Sequence, residues 1–101
     1  MAKPVRTSRQ AERHILHLDQ WWRENREKAP ELFEQELAMT FRTIASAPFA
    51  GRRYLHSEAD VYRVLMRSTR NHVYYVERDD HILVVAVWGA IKGVGPDLTL
   101  L

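Results

Sequence analysis

The sequence predicts an α+β protein in which an N-terminal helical hairpin packs on a small, mostly antiparallel β-sheet. Two observations carry that expectation. Apolar residues in the first half recur three and four apart, as on one face of a helix, whereas after about residue 54 the period shortens to that of strands rich in Tyr and Val. The last two β-rich runs are separated only by Asp79-Asp80, which suits a tight hairpin although Asp-Gly would suit it better.

Lys3-Pro4-Val5-Arg6 reads as a short extended segment, with Pro4 tolerated at a strand start or edge. Thr7-Ser8-Arg9-Gln10 has capping-box spacing, Thr7 accepting from a first-turn N–H while Gln10 reaches back. A helix over about 8–25 follows, its stripe formed by Ala11, Ile15, Leu18 and Trp22, with Arg9, Arg13 and Gln20 opposite. Pro30 is expected at the first position of a second helix. Glu31, Glu34 and Glu36 favour that helix N-terminus, Phe33, Leu37, Phe41 and Ile44 form its stripe, and Ala47-Pro48 ends it. Strands are expected at Tyr54-Leu55, 61–67, 72–78 and 81–88. The nearly unbroken apolar run 82–87 marks a central strand covered on both faces.

Direct pairing across a 68–71 turn would set Arg67 opposite His72, and the Asp79-Asp80 turn would set Arg78 opposite His81. One sheet face then collects Tyr62, Val64, Met66, Val73, Tyr75, Ile82, Val84, Ala86 and Trp88, the seat for the helices. The other collects Arg63, Leu65, Arg67, His72, Tyr74, Val76, Leu83, Val85 and Val87, an apolar surface edged with arginine that suits a partner or a site. A one-residue slip would exchange the faces.

At 101 residues, with 46% hydrophobic and 28% charged side chains, the chain is expected to form one folded domain over 1–101. No apolar run reaches the ~18 residues of a membrane span, so no membrane role is expected. Without cysteine there is no disulfide, no thiolate nucleophile and no thiolate zinc site, and the cytoplasm is the default compartment. Twelve of the fifteen basic residues are Arg, whose planar fork suits carboxylate or phosphate, but a net charge of +2 and the lack of a basic tail do not point to sequence-specific DNA binding. No cofactor or metal is expected. His14 and His17 with Asp19 lack further ligands at metal spacing, and His56, Glu58 and Asp60 read as loop decoration. Gly89, Gly93 and Gly95 lack the spacing of a phosphate loop. Trp22 continues the apolar stripe, which leaves Trp21 half exposed at its flank, and Arg52 and Arg53 read as loop charges.

The strand–helix–helix–strands order resembles the RelE/ParE family of toxins from bacterial type II toxin–antitoxin modules. The stretches that carry the resemblance are Ala11 to Leu18 with Trp21-Trp22, Ala47-Pro48 before Gly51-Arg52, Tyr62-Arg63-Val64-Leu65 before Thr69 to Tyr75, and Val87-Trp88-Gly89 through Pro96. It covers nearly the whole chain and is nearer the ParE branch. The resemblance implies the RelE/ParE-like fold, growth arrest by inhibition or poisoning of DNA gyrase, a role in plasmid stabilization, and neutralisation within a hetero-oligomeric complex by a ParD-like antitoxin. The antitoxin- or target-binding residues would be Arg63, Leu65, Arg67, His72, Tyr74, Leu83, Val85, Trp88 and Lys92. Lys92 stands where the family usually has Arg, keeping the charge without the bidentate fork. The alternative is a ribosome-dependent endoribonuclease of the RelE type. Arg63, Arg67 and Arg70 would then stabilise the phosphorane-like transition state, and Tyr74, or His72, would move the proton. That branch carries a Tyr or His near the C-terminus, whereas here only Lys92 and Asp97 follow Trp88 as groups that could act. A non-toxic interaction module is a third expectation.

Overall fold

The computed structural model describes residues 2–55, 57, 59–91 and 93–99. Lys92, His56 and Glu58 lie outside the described residues. The chain runs β1 (Val5–Thr7), α1 (Arg9–Asn25), α2 (Leu32–Ser46), a 3-10 turn (Pro48–Ala50), β2 (Arg52–Arg53), β3 (Tyr62–Met66), β4 (Asn71–Glu77) and β5 (Ile82–Gly89). The strands form one five-stranded mixed sheet in the order β1-β5-β4-β3-β2, so the fold class is α+β. β1 pairs with β5 in parallel and every other pair is antiparallel. β5 is interior as its apolar run predicts, although β4 takes the centre of the sheet. Among the described residues, no helix is long and apolar enough to cross a membrane.

Several boundaries differ from the expectation for local chemical reasons. Ser8, not Thr7, caps α1: its hydroxyl accepts from Ala11 N at 3.1 Å, while Thr7 is still in β1 and its hydroxyl donates to Glu12. Gln10 does not reach back but donates from Nε2 to Val85 O and Asp97 O. Pro30 falls in the turn before α2, where Leu32 N bonds to Ala29 O at 3.3 Å, and Glu31 is the N-cap. The expected strand at Tyr54-Leu55 is displaced to Arg52–Arg53, since pairing with β3 rather than local composition sets this edge.

On one face of the sheet, Ala11 of α1 and Phe33, Leu37 and Ile44 of α2 form a buried cluster with Met66, Val73, Tyr75, Ile82, Val84 and Val87. Ile15, Leu18, Trp22 and Phe41 complete both predicted stripes against it. Each fully buried Val, Ile, Met or Phe of this cluster contributes about 1.5–3 kcal/mol relative to exposure.

The β3–β4 turn spans 67–70, so Leu65, not Arg67, stands opposite His72. This slip is two residues, an even number, so side chains of β3 and β4 keep the faces assigned to them. The β4–β5 hairpin closes as expected, with Arg78 N bonding His81 O at 2.8 Å. Farther along the pairing changes, from Tyr75 opposite Val84 to Tyr74 opposite Ala86, leaving Val85 as the extra residue of a β-bulge. Strict alternation therefore fails beyond Val84. Val87 joins the helix-side core, while Ala86 and Trp88 join the opposite face, reversing all three assignments. Side chains of α1 and its N-cap satisfy the backbone at the bulge. Val85 O accepts from Ser8 Oγ and Gln10 Nε2, and His14 Nδ1 accepts from Val87 N at 3.2 Å.

Glu36 of α2 organises the 67–70 turn. Its carboxylate accepts from Ser68 N at 2.8 Å, Thr69 N at 2.9 Å and Thr69 Oγ1 at 2.7 Å. Partial burial opposes its charge, but these hydrogen bonds outweigh it and hold the carboxyl below its ordinary value of 4.5. Glu36→Gln is expected to cost about 1–3 kcal/mol at neutral pH, because one amide oxygen cannot serve all three donors. Because the folded-state value is depressed, the wild-type advantage is complete above pH 4.5 and is lost as pH falls through the folded-state value. Urea unfolding of both proteins across that range checks this. A difference that stayed constant with pH would contradict it.

Candidate functional site

The sheet face away from the helices carries the predicted site residues, placed by strand alternation. Cross-strand pairing aligns Arg52, Arg63, Tyr74 and Ala86 in one row across β2, β3, β4 and β5, and Leu65, His72 and Trp88 in the next. Val61, Tyr74, Val76, Val85 and Ala86 are buried there, with Tyr54, Ala59, Leu83, Trp88 and Leu98 packed around them. The loop before β3 and the C-terminal segment thus cover part of this face themselves. Val85 and Tyr74 are each 2% exposed and form its floor, Leu83 is half buried, and Leu65 is 44% exposed.

Where the cover is incomplete, a cleft of about 330 Å³ opens between Arg63, His72, Tyr54, Tyr74 and Trp88 and residues 89–90 and 93–95. The Arg63 guanidinium lies 5.1 Å from the Tyr54 ring centre and 6.0 Å from that of Tyr74, and its Nη1 makes a long 3.4 Å bond to the Tyr74 hydroxyl. Such stacking orients the planar cation and leaves its in-plane N–H groups for a ligand. Tyr54 meets Tyr74 edge-on at 5.1 Å, and His72 meets Tyr74 at 5.9 Å.

Burial first, and the neighbouring Arg63 charge second, push His72 below its ordinary value of 6.5. It is therefore mainly neutral at pH 7, a hydrogen-bonding group and not a second cation.

The far wall is held by Trp88, whose Nε1 donates to Val94 O at 2.9 Å and whose ring packs on His14 at 5.1 Å. Small residues let this wall come close: a Cβ at Gly95 would sit 2.4 Å from the Tyr54 hydroxyl. Arg53 pairs with Asp60 at 2.9 Å. Among the described residues, neither Arg52 nor Arg63 makes an ion pair with a carboxylate.

The structure thus brings together Arg63, His72, Tyr74 and Trp88, with Leu65 in the cross-strand row of His72 and Trp88. Arg67 and Arg70 are exposed in the 67–70 turn and do not line the cleft. Arg70 has a left-handed backbone, φ 61°, and its carbonyl accepts from Ala90 N at 2.8 Å, tying the end of β5 to the turn. Sequence reasoning missed Arg52 and Tyr54 as site residues. Their signal is weak, because β2 is two residues long and joins β3 across an intervening loop. His14, read as a solvated group, is a structural acceptor. Among the described residues, no group of three or more acidic or His residues could hold a metal ion.

The cleft can grip a planar anion through Arg63 while apolar surface lies beside it. The family model that matches the chain is described as the ParE toxin of the type II toxin–antitoxin system parDE, and the match spans residues 5–90. No curated relative matches the chain. The match runs from the first residue of β1 to the residue after β5, covering the sheet, both helices and most of the cleft. The chain therefore belongs to the ParE toxin family of type II toxin–antitoxin systems, and a cognate antitoxin is its implied partner.

Proposed function

We propose that this toxin arrests growth by inhibiting or poisoning DNA gyrase. We propose further that it forms one RelE/ParE-like domain over residues 1–101, acts in the cytoplasm, and is neutralised in a hetero-oligomeric complex by a ParD-like antitoxin. The contact surface would be the face around Arg63, Leu65, His72, Tyr74 and Trp88, with Arg67, Leu83, Val85 and Lys92 completing the sequence-based set. Family membership supports the toxin role. The observation favouring a binding mode of action is the dispersal of the ribonuclease candidates. Tyr74 is 2% exposed, with its hydroxyl turned to Arg63, while Arg67 and Arg70 sit in a separate turn. A phosphoryl-transfer site needs its charges and proton-transfer group converging on one reacting atom.

The endoribonuclease alternative has one observation on its side. His72 is held mainly neutral beside Arg63 in the cleft, a suitable state for a general base. Pulse-labelling of DNA and protein synthesis soon after induction of the chain alone separates the readings. DNA synthesis is expected to fall first while protein synthesis continues, and a purified supercoiling assay is expected to show gyrase inhibition. Early collapse of protein synthesis would instead favour RNA cleavage. Unimpeded growth would favour a non-toxic interaction module.

A further inference from the structure

The pairing of β2 with β3 sets Arg52 directly opposite Arg63, so both side chains rise from the same face. Like charges at directly opposed positions are destabilising in an antiparallel pair. Neighbouring acids do not relieve this one: Asp60 pairs with Arg53, and among the described residues no carboxylate pairs with Arg52 or Arg63. Arg63 is half buried and stacked against Tyr54 and Tyr74 at the mouth of the cleft, whereas Arg52 is exposed at the sheet edge. A ligand carrying negative charge would turn this unfavourable pair into a binding determinant.

We propose that Arg52 and Arg63 form a two-arginine receptor for a carboxylate side chain of an extended acidic peptide, with the exposed Leu65 supplying an adjacent apolar contact. This rests on the antitoxin reading above and deepens it by naming the chemistry of the segment that the face takes.

A peptide fits better than a nucleic acid for three reasons. The two arginines form a local pair and not a track that follows successive phosphates, which nucleic-acid affinity requires. The next cross-strand row is Leu65, His72 and Trp88, apolar or mainly neutral at pH 7. Leu65 and Val94 add exposed apolar surface, 44% and 71% exposed, that suits aliphatic side chains alternating with acids along an extended chain.

The test has two arms. In the first, the full-length chain is titrated with a short capped peptide of alternating leucine and glutamate, its glutamine isostere, and an oligothymidylate of similar length. The Trp88 indole N–H signal and the heat of binding provide the readouts. The glutamate peptide is expected to bind at least about ten-fold tighter than the glutamine peptide, because charge-assisted hydrogen bonds are at stake. Arg63→Gln is expected to abolish that preference, and Arg52→Gln to reduce it. Arg52 is exposed at the sheet edge, so its variant keeps the test valid if Arg63→Gln fails to fold. Equal binding of the acidic and amide peptides, or Arg-dependent binding of the oligothymidylate at comparable affinity, would overturn the proposal.

In the second arm, the cognate antitoxin is titrated against the wild type and both variants. Weaker binding to both variants supports the receptor. Tight binding to the wild type and unchanged binding to both variants would overturn the receptor while leaving the antitoxin reading intact. No binding to the wild type would overturn the antitoxin reading itself, and with it the proposed occupant.

Discussion

Phe33→Ala is expected to destabilise the protein by about 3–5 kcal/mol, the range for removing a fully buried phenylalanine. Phe33 is fully buried on α2, within the cluster that joins α1, α2 and the sheet. Part of the loss is transfer free energy. The rest is the cavity left between a helix and a sheet that are each held by other contacts and can collapse only partly. Small domains have total stabilities of about 5–15 kcal/mol, so this one substitution could remove a third or more of the margin. At about 4–8 °C per kcal/mol, the melting temperature should fall by at least about 12 °C. Thermal melting followed by circular dichroism checks this. A loss under about 1 kcal/mol would mean that α2 does not seal the sheet as described.

The second large effect is expected at Tyr75, a fully buried β4 residue whose hydroxyl fixes the approach to β2. Oη donates to Pro48 O at 2.6 Å and accepts from Gly51 N at 3.0 Å. Burial pushes this phenol above its ordinary value of 10.0, consistent with a neutral hydroxyl serving as both donor and acceptor. Tyr75→Phe keeps the ring but strands two backbone groups, and the expected cost is about 2–3 kcal/mol by equilibrium unfolding.

Gly51→Ala should be harmful for a related reason, since its new Cβ would lie 2.2 Å from the same oxygen and 2.9 Å from the ring. The two sites share one contact. Combining them should therefore cost less than the sum of the single changes. Additive losses would argue against the shared hydroxyl. Gly51 leads directly into Arg52, so Tyr75→Phe is also expected to weaken acidic-peptide binding without altering any residue that lines the cleft.

These effects mark the boundary between local and long-range information. The helix stripes were legible because each is set by the 3.6-residue period of its own segment. Ala11, Ile15, Leu18 and Trp22, then Phe33, Leu37, Phe41 and Ile44, face the core as read. β3 and β4 were legible by the same logic with period two, and their faces survived a wrong turn position because the slip was even. Arg63, His72 and Tyr74 could thus be named as site candidates. Trp88 was named through family resemblance, although the alternation argument had placed it on the helix side.

Tertiary structure alone decided the bulge at Val85. Ala86, Val87 and Trp88 reverse faces there, while Ser8, Gln10 and His14 of the capping segment and α1 occupy the backbone groups around the irregularity. Nothing in the apolar run 82–87 marks where alternation breaks, since either face would accept those side chains. The Arg52–Arg63 pair was hidden for the same physical reason. A two-residue edge strand carries no periodicity, and its partner is chosen by contacts across an intervening loop and by the Tyr75 hydroxyl that anchors Gly51. The sequence by itself determined the two helices, the strands other than β2 and most of the core-facing side chains. Long-range pairing determined which charged groups meet at the cleft.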